Sequence, residues 1–178
     1  MPDMAKQSEE MGIVEILHGR RAFDEIRLDL YRKAQNVSWL ATGPGLPPGS
    51  SMEAEIGKCL ERGTNFKILG WRGDDSFKDR LELLNRIRLL NKDKGKIEIR
   101  FYSEEPKWYL QIIDDTIYAQ PYLHGTSMFR TAMFVFKKIP EWYGFYNRFE
   151  AHFTEMWNSA VDIDKSISEN EPKTGKNI

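Results

Sequence analysis

Pro106 to Tyr122 reads PKWYLQIIDDTIYAQPY. Two apolar, β-rich runs, Trp108 to Ile113 and Thr116 to Gln120, are separated by Asp114-Asp115 alone. Two residues are too few for a helical crossover, which needs a dozen or more, so the runs form an antiparallel hairpin. Asp at such a turn tolerates backbone conformations that most residues avoid.

The chain before the hairpin alternates differently. Arg20 to Gln35 has Phe23, Ile26, Leu30 and Ala34 at helical spacing, which predicts a helix with one apolar face. Val37 to Ala41 (VSWLA) predicts a buried strand, ended by TGPGLPPGS. Ser50, with Glu53 three residues on, predicts a capped helix start. That helix buries Ile56, Cys59 and Leu60 and stops at Gly63. Phe66 to Leu69 is a strand, Ser76 to Asn91 a helix and Ile97 to Tyr102 (IEIRFY) a strand. In the Ser76 to Asn91 helix, Phe77, Leu81, Leu84, Ile87 or Arg88, and Leu90 or Asn91 mark the faces. Strand, helix, strand, helix, strand predicts parallel pairing with right-handed crossovers. After the hairpin, Phe129 to Lys137 predicts another strand. A final helix opens at Pro140, with Trp142, Tyr146, Phe149, Phe153, Met156 or Trp157, and Ala160 at helical spacing. This stripe reads as core packing. The expected fold is therefore α/β, a mixed and mostly parallel sheet flanked by helices.

The 178 residues suit one domain, expected to span 1–164, with 1–12 loose and a disordered tail at 165–178 (KSISENEPKTGKNI). With 26 basic and 27 acidic residues the net charge is −1, so the chain as a whole has no electrostatic pull toward nucleic acid or an anionic membrane. Cys59 stands alone, which excludes an internal disulfide and a multi-cysteine metal site and suits a reducing, cytoplasmic setting. No apolar run has the length of a membrane span, and Met1 to Glu10 lacks the pattern of a signal peptide. No cofactor is expected.

In order of elements, Phe23 to Ala160 resembles one unit of the phospholipase D superfamily. Active members carry H-x-K-x-x-x-x-D on this hairpin. Asp114 falls on the motif aspartate, but Tyr109 stands at the lysine and Lys107 at the histidine. The family's small-residue turn downstream is replaced by Gln120-Pro121-Tyr122. The resemblance implies a histidine that attacks phosphorus and a lysine that stabilises phosphoryl charge. An ammonium cannot serve as an imidazole nucleophile, and a phenol with an unperturbed pKa near ~10 offers no cation. The unit is thus expected to be non-catalytic. A second match to the motif spacing, His18-Gly19-Arg20 followed by Glu25, opens a helix and not a hairpin strand; it is read as chance.

Four loops are expected to converge beyond the carboxyl ends of the parallel strands: Thr42 to Ser51, Trp71 to Asp75, Ser103 to Lys107 and the hairpin start. Candidate ligand-binding residues are Thr42 and Gly43 before a helix N-terminus, Arg72, Lys107, Tyr109, Asp114, Tyr122 and His124. Each has a bland alternative: a Gly/Pro-shaped loop for Thr42-Gly43, pairing with Asp74 or Asp75 for Arg72, a turn aspartate for Asp114. Arg130 and Tyr118 lie in the same cluster, and His18, His124 and His152 show no metal spacing. Lys78 to Lys96 is locally basic, but its leucines mark a solvated helix face, so nucleic acid is not the expected partner. A phosphorylated or nucleotide-like ligand and a homodimer are expected, since single-unit members of this superfamily commonly pair about a two-fold axis with the units facing each other. Two rivals stand beside the ligand-binding or regulatory module. One is a diverged phosphodiesterase or nuclease with His124 as nucleophile, the other a structural partner domain in a larger complex.

Overall fold

The computed structural model describes residues 4–41, 51–73, 82–83, 85–87, 89 and 95–162. Thr42, Gly43, the helix start at Ser50, Asp74, Asp75, much of the 76–91 helix and the tail at 165–178 lie outside the described residues. The elements in chain order are α1 (Met4–Glu10), β1 (Ile13–Leu17), α2 (Gly19–Lys33), β2 (Asn36–Ala41), α3 (Ser51–Arg62), β3 (Asn65–Trp71), β4 (Ile97–Tyr102), β5 (Trp108–Ile113), β6 (Thr116–Pro121), a 3-10 turn (Met128–Arg130), β7 (Met133–Lys137), α4 (Phe145–Ser159) and β8 (Val161–Asp162). Residues 82–83, 85–87 and 89 are helical, with Leu83 and Ile87 buried.

The hairpin is where the sequence places it. Trp108 pairs with Pro121 and Ile113 with Thr116 around the two-residue turn. Asp114 there has φ 49°, a left-handed conformation that Asp accepts more readily than most residues. The eight strands form one open mixed sheet in the order β1-β7-β6-β5-β2-β3-β4-β8. Parallel pairing is confined to β2–β3 and β3–β4, joined by helices; the other five pairs are antiparallel. The parallel share is smaller than strand-helix alternation suggests, because β2 pairs antiparallel with β5 and the hairpin continues that way to β7 and β1.

Two layers cover the sheet. One buries Phe23, Tyr31, Ile56, Cys59, Leu60, Leu83 and Ile87 against Val37, Trp39, Ile68, Ile99 and Tyr109. The other buries Tyr146, Phe153 and Trp157 of α4 against Leu40, Leu69, Leu110, Ile112, Ile117 and Phe136. Full burial of one such side chain contributes about 1.5–3 kcal/mol.

Several boundaries differ from expectation. In α2, Phe23 and Ala34 are buried, but Ile26 is 38% exposed and Leu30 half-buried. The inward stripe instead runs Phe23, Tyr31 and Ala34, with the half-buried Arg27 between them, because the facing strand offers Tyr109 and Gln111 and Tyr31 can bond to the latter. Phe129 belongs to the 3-10 turn and not to the strand, since Gln120 Nε2 donates to the carbonyls of Met128 and Thr131 and pulls the chain into a turn. The last helix starts at Phe145, not Pro140. Asn147 Nδ2 donates to Glu141 O at 2.7 Å and organises a turn that leaves Trp142 79% exposed. Met4–Glu10, expected to be loose, is helical, and β1 and β8 are additions. Gly63, at φ 99°, ends α3 in the left-handed conformation the sequence predicts.

Candidate functional site

Alternate residues of β5 point to opposite layers, so the two sides of this strand form two different environments. On the side facing α2, Tyr109 and Gln111 stand in a row opposite Gln120 and Tyr118. Tyr109, at the place of the family's lysine, is 2% exposed. The Arg20 guanidinium lies 3.9 Å from its ring centroid, and Phe23 meets the ring edge-on at 6.4 Å. Asp24 holds both Arg20 (2.9 Å) and Arg27 (3.1 Å), so the two arginines carry one partner carboxylate between them. Burial pushes the Tyr109 phenol above its ordinary pKa, and the Arg20 and Arg27 charges only partly offset that. Arg27 lies within electrostatic reach of the Tyr109 hydroxyl, but no bond of good geometry joins them. One turn further along α2, Tyr31 donates to Gln111 Oε1 at 2.8 Å inside the core. Burial raises the Tyr31 phenol strongly, so it serves as a neutral donor. A dense stack of side chains therefore surrounds Tyr109, the residue that the resemblance sets at the motif lysine, and Tyr109 lines no open cleft.

Lys107 is different. It is exposed and sits on the rim of a pocket of about 540 Å3 on the α4 side. The floor and walls are Leu40, Pro106, Trp108, Phe145, Phe149 and Met156. The Trp108 and Phe149 rings meet edge-on at 5.2 Å. Glu104, Glu105, Lys107, Arg148 and His152 supply the charged and titratable rim. The pocket opens at the carboxyl end of β2, beside the loop between β4 and β5, where ligands of open α/β sheets are held. Its volume lies within the range common for small-molecule sites.

Asp114 is at the other end of β5, about 20 Å from Lys107 at ~3.3 Å per residue. Its carboxylate accepts from the backbone N–H of Gln35 (3.1 Å) and Asn36 (2.8 Å), so it pins the entry of β2. The Tyr146 hydroxyl donates to its carbonyl at 2.8 Å. The expected grouping of Lys107, Tyr109 and Asp114 in one cleft is thus corrected: strand length separates the aspartate from the other two, and the sheet places Tyr109 and the pocket on opposite sides. A second hollow of about 910 Å3 lies at the Asp114 end, with Lys67, Asp115, Lys138, Glu150 and Asn158 among its lining.

Arg72 is exposed after β3, its N–H donating to Tyr102 O at 3.1 Å, and does not line the pocket. Tyr122 is half-buried beside Lys107, its N–H donating to Lys107 O at 2.9 Å. His124 is exposed in the turn before the 3-10 segment. The structure thus brings Tyr109 and Tyr122 together on the α2 side, sets Lys107 on the rim of the pocket on the other side, and leaves Arg72, Asp114 and His124 apart. Sequence reasoning missed Arg20, Asp24 and Arg27 as partners of Tyr109. The signal was present, since Arg20, Phe23, Arg27 and Tyr31 recur at three and four residues on one face. It also assigned Phe149 and Met156 wholly to core, although both are half-buried and line the pocket. Among the described residues, no group of three His, Cys, Asp or Glu could hold a metal ion, and no helix is long and apolar enough to cross a membrane.

No protein-family model and no curated protein matches the chain. Solved structures do. The archaeal chromatin protein TrmBL2, described as showing a novel mode of DNA binding, superposes with a TM-score of 0.61 at 18% identity, over 89% of this chain and 60% of its own. Phosphatidylserine synthase from Haemophilus influenzae Rd KW20, of the phospholipase D superfamily, superposes with a TM-score of 0.52 at 9% identity, over 86% of this chain and 44% of its own. These likenesses show a shared fold. The chain spans about three fifths of the first protein's length and less than half of the second's.

Proposed function

We propose that this chain is a non-catalytic phospholipase D-like unit that binds a small ligand and acts as a regulatory module. The ligand occupies the 540 Å3 pocket under α4 instead of the family's catalytic position. One observation carries this reading: Arg20 and Tyr109 fill the catalytic position, while an apolar pocket with Lys107 and Arg148 on its rim stays open on the other side of the same strand. Leu40, Trp108, Phe149 and Met156 suit a ligand with an apolar body. Lys107 and Arg148 suit a phosphate or carboxylate end, with Arg able to grip it bidentately. The likeness to part of a DNA-binding chromatin protein supports a regulatory setting.

Thermal denaturation with phosphorylated, nucleotide-like and apolar-bodied carboxylate compounds tests this. A ligand at a hundred times its Kd stabilises by about 2.7 kcal/mol. That gain should vanish in Met156→Arg, which fills the pocket, and persist in Tyr109→Phe. No stabilisation across the panel sinks the reading, and a gain lost in Tyr109→Phe but kept in Met156→Arg moves the site to the family's position.

A second reading rests on TrmBL2 alone: direct contact with nucleic acid. It requires a retarded band with duplex DNA whose affinity falls steeply with salt.

A further inference from the structure

One edge of the sheet is open and apolar. β1 pairs with β7 on one side, and no described strand pairs with its other side. Backbone N–H and C=O groups on such an edge are a template for another strand. Of the devices that commonly blunt an edge, β1 (IVEIL) lacks Lys and Pro and carries only the exposed Glu15 and the bulge near Val14. Val14 is 55% and Ile16 51% exposed. The ends of the strand continue the pattern. Phe145 N–H donates to Met11 O at 3.2 Å, which brings the turn bearing Trp142 (79% exposed) and Tyr143 (37%) to the start of β1. A Cβ on Gly19 would lie 2.3 Å from Phe129 O, which places Phe129 (66% exposed) at the far end. Five of the eight exposed large apolar residues among those described therefore line this one edge.

We propose that a second copy of this chain pairs with this edge, β1 against β1 in antiparallel register, so that two sheets continue into one. Charge selects the partner. Exposed Glu9 and Glu10 precede β1, while His18, Arg21 and Arg130 surround its end, all three exposed. An antiparallel two-fold places the acidic start of each strand beside the basic end of the other. The register follows from two features. A bulge between Ile13 and Glu15 interrupts regular pairing at Val14. Pairing centred on Glu15 would oppose two carboxylates. Centring the pair on Ile16 avoids both: Ile16 meets its own copy and Glu15 meets Leu17. This edge-to-edge dimer differs from the facing arrangement that the phospholipase D resemblance implies.

Sedimentation equilibrium of the full chain, with an Ile16→Cys cross-link, tests the proposal. A mass twice the 20.8 kDa of one chain is expected. Directly opposed residues of antiparallel strands have Cα atoms about 4.5–5.5 Å apart, within disulfide range. Ile16→Cys should therefore oxidise to a covalent dimer, and Ile26→Cys, exposed on α2, should not. Ile16→Lys should raise the dimer Kd at least tenfold with an unchanged circular dichroism spectrum. Arg21→Glu should weaken the dimer, and adding Glu10→Arg should restore it. A monomer at about 100 µM overturns the proposal. So does a dimer that Ile16→Lys leaves intact, or an Ile16→Cys chain that stays uncrosslinked while dimeric.

Discussion

The two sides of β5 share a backbone and have opposite fates. On the α2 side, Tyr109 and Gln111 are buried under a helix whose arginines, phenylalanine and tyrosine fit between them. On the α4 side, Leu110 and Ile112 are buried under one helix, which leaves a hollow at each end of the strand. The difference lies in the number of covering elements. α2, α3 and the 82–89 helical residues share the first layer, while among the described residues α4 alone covers the second. A position covered by several elements is filled, while a hollow opens where packing is thinner.

The largest effect should come from introducing the His and Lys of the motif that the hairpin resembles. Lys107→His with Tyr109→Lys buries an ammonium beside Arg20 and should cost about 3–5 kcal/mol in urea denaturation. No hydrolysis of a generic phosphodiester should appear. Turnover by this variant would show that the α2 side is only latently closed. Tyr31→Phe orphans the buried Gln111 Oε1 and should cost about 1–3 kcal/mol by the same assay. Placing a charge on the other side is the direct contrast: Met156→Arg can extend into the open pocket, so its cost should stay below about 1 kcal/mol. If it equals that of the Tyr109→Lys change, the two sides are equally packed. Tyr109→Phe removes a buried hydroxyl without a well-formed hydrogen bond, and calorimetry should find it neutral or stabilising by up to about 1 kcal/mol.

The smallest effect lies at the turn. Lys137, at 2.9 Å, and the Thr116 hydroxyl hold the Asp115 carboxyl below its ordinary value of 3.8. A folded pKa below the unfolded one contributes stability above about pH 4, lost as pH falls through the folded value. Asp115→Asn should therefore be slightly less stable than the parent at pH 7 and equal to it near ~pH 2. The gap should be a few tenths of a kcal/mol at most, because the group is exposed and screened.

Much of the fold was legible. The hairpin, the alternation before it and the Gly63 stop are set by local turn chemistry and periodicity, which a sequence displays directly. The α2 face was misread at Ile26 and Leu30 because hydrophobicity ranks arginine as a surface residue. Arg20 and Arg27 are instead largely covered, held by Tyr109 and Asp24, partners that only the folded chain supplies. β1 escaped notice because its only ladder joins it to residues 133–137, far along the chain. Of the residues around the pocket, Lys107 and its loop could be named in advance, as strand ends are visible in sequence. The pocket walls on α4 could not, because a half-filled stripe has the same spacing as a filled one. Asp114 was placed at the right residue with the wrong neighbours, since seven positions on a strand are a distance and not a contact.

The pairing of β1 with residues 133–137 also sets an order in time. On the ribosome β1 emerges well before its partner strand, which is made more than a hundred residues later. At about 5–20 residues per second, that leaves several seconds during which IVEIL has no native ladder to join. Its apolar, nearly uncharged edge is thus exposed to neighbouring nascent chains throughout synthesis. A charged residue at Ile16 should raise the soluble fraction at fast expression more than any change in the finished core.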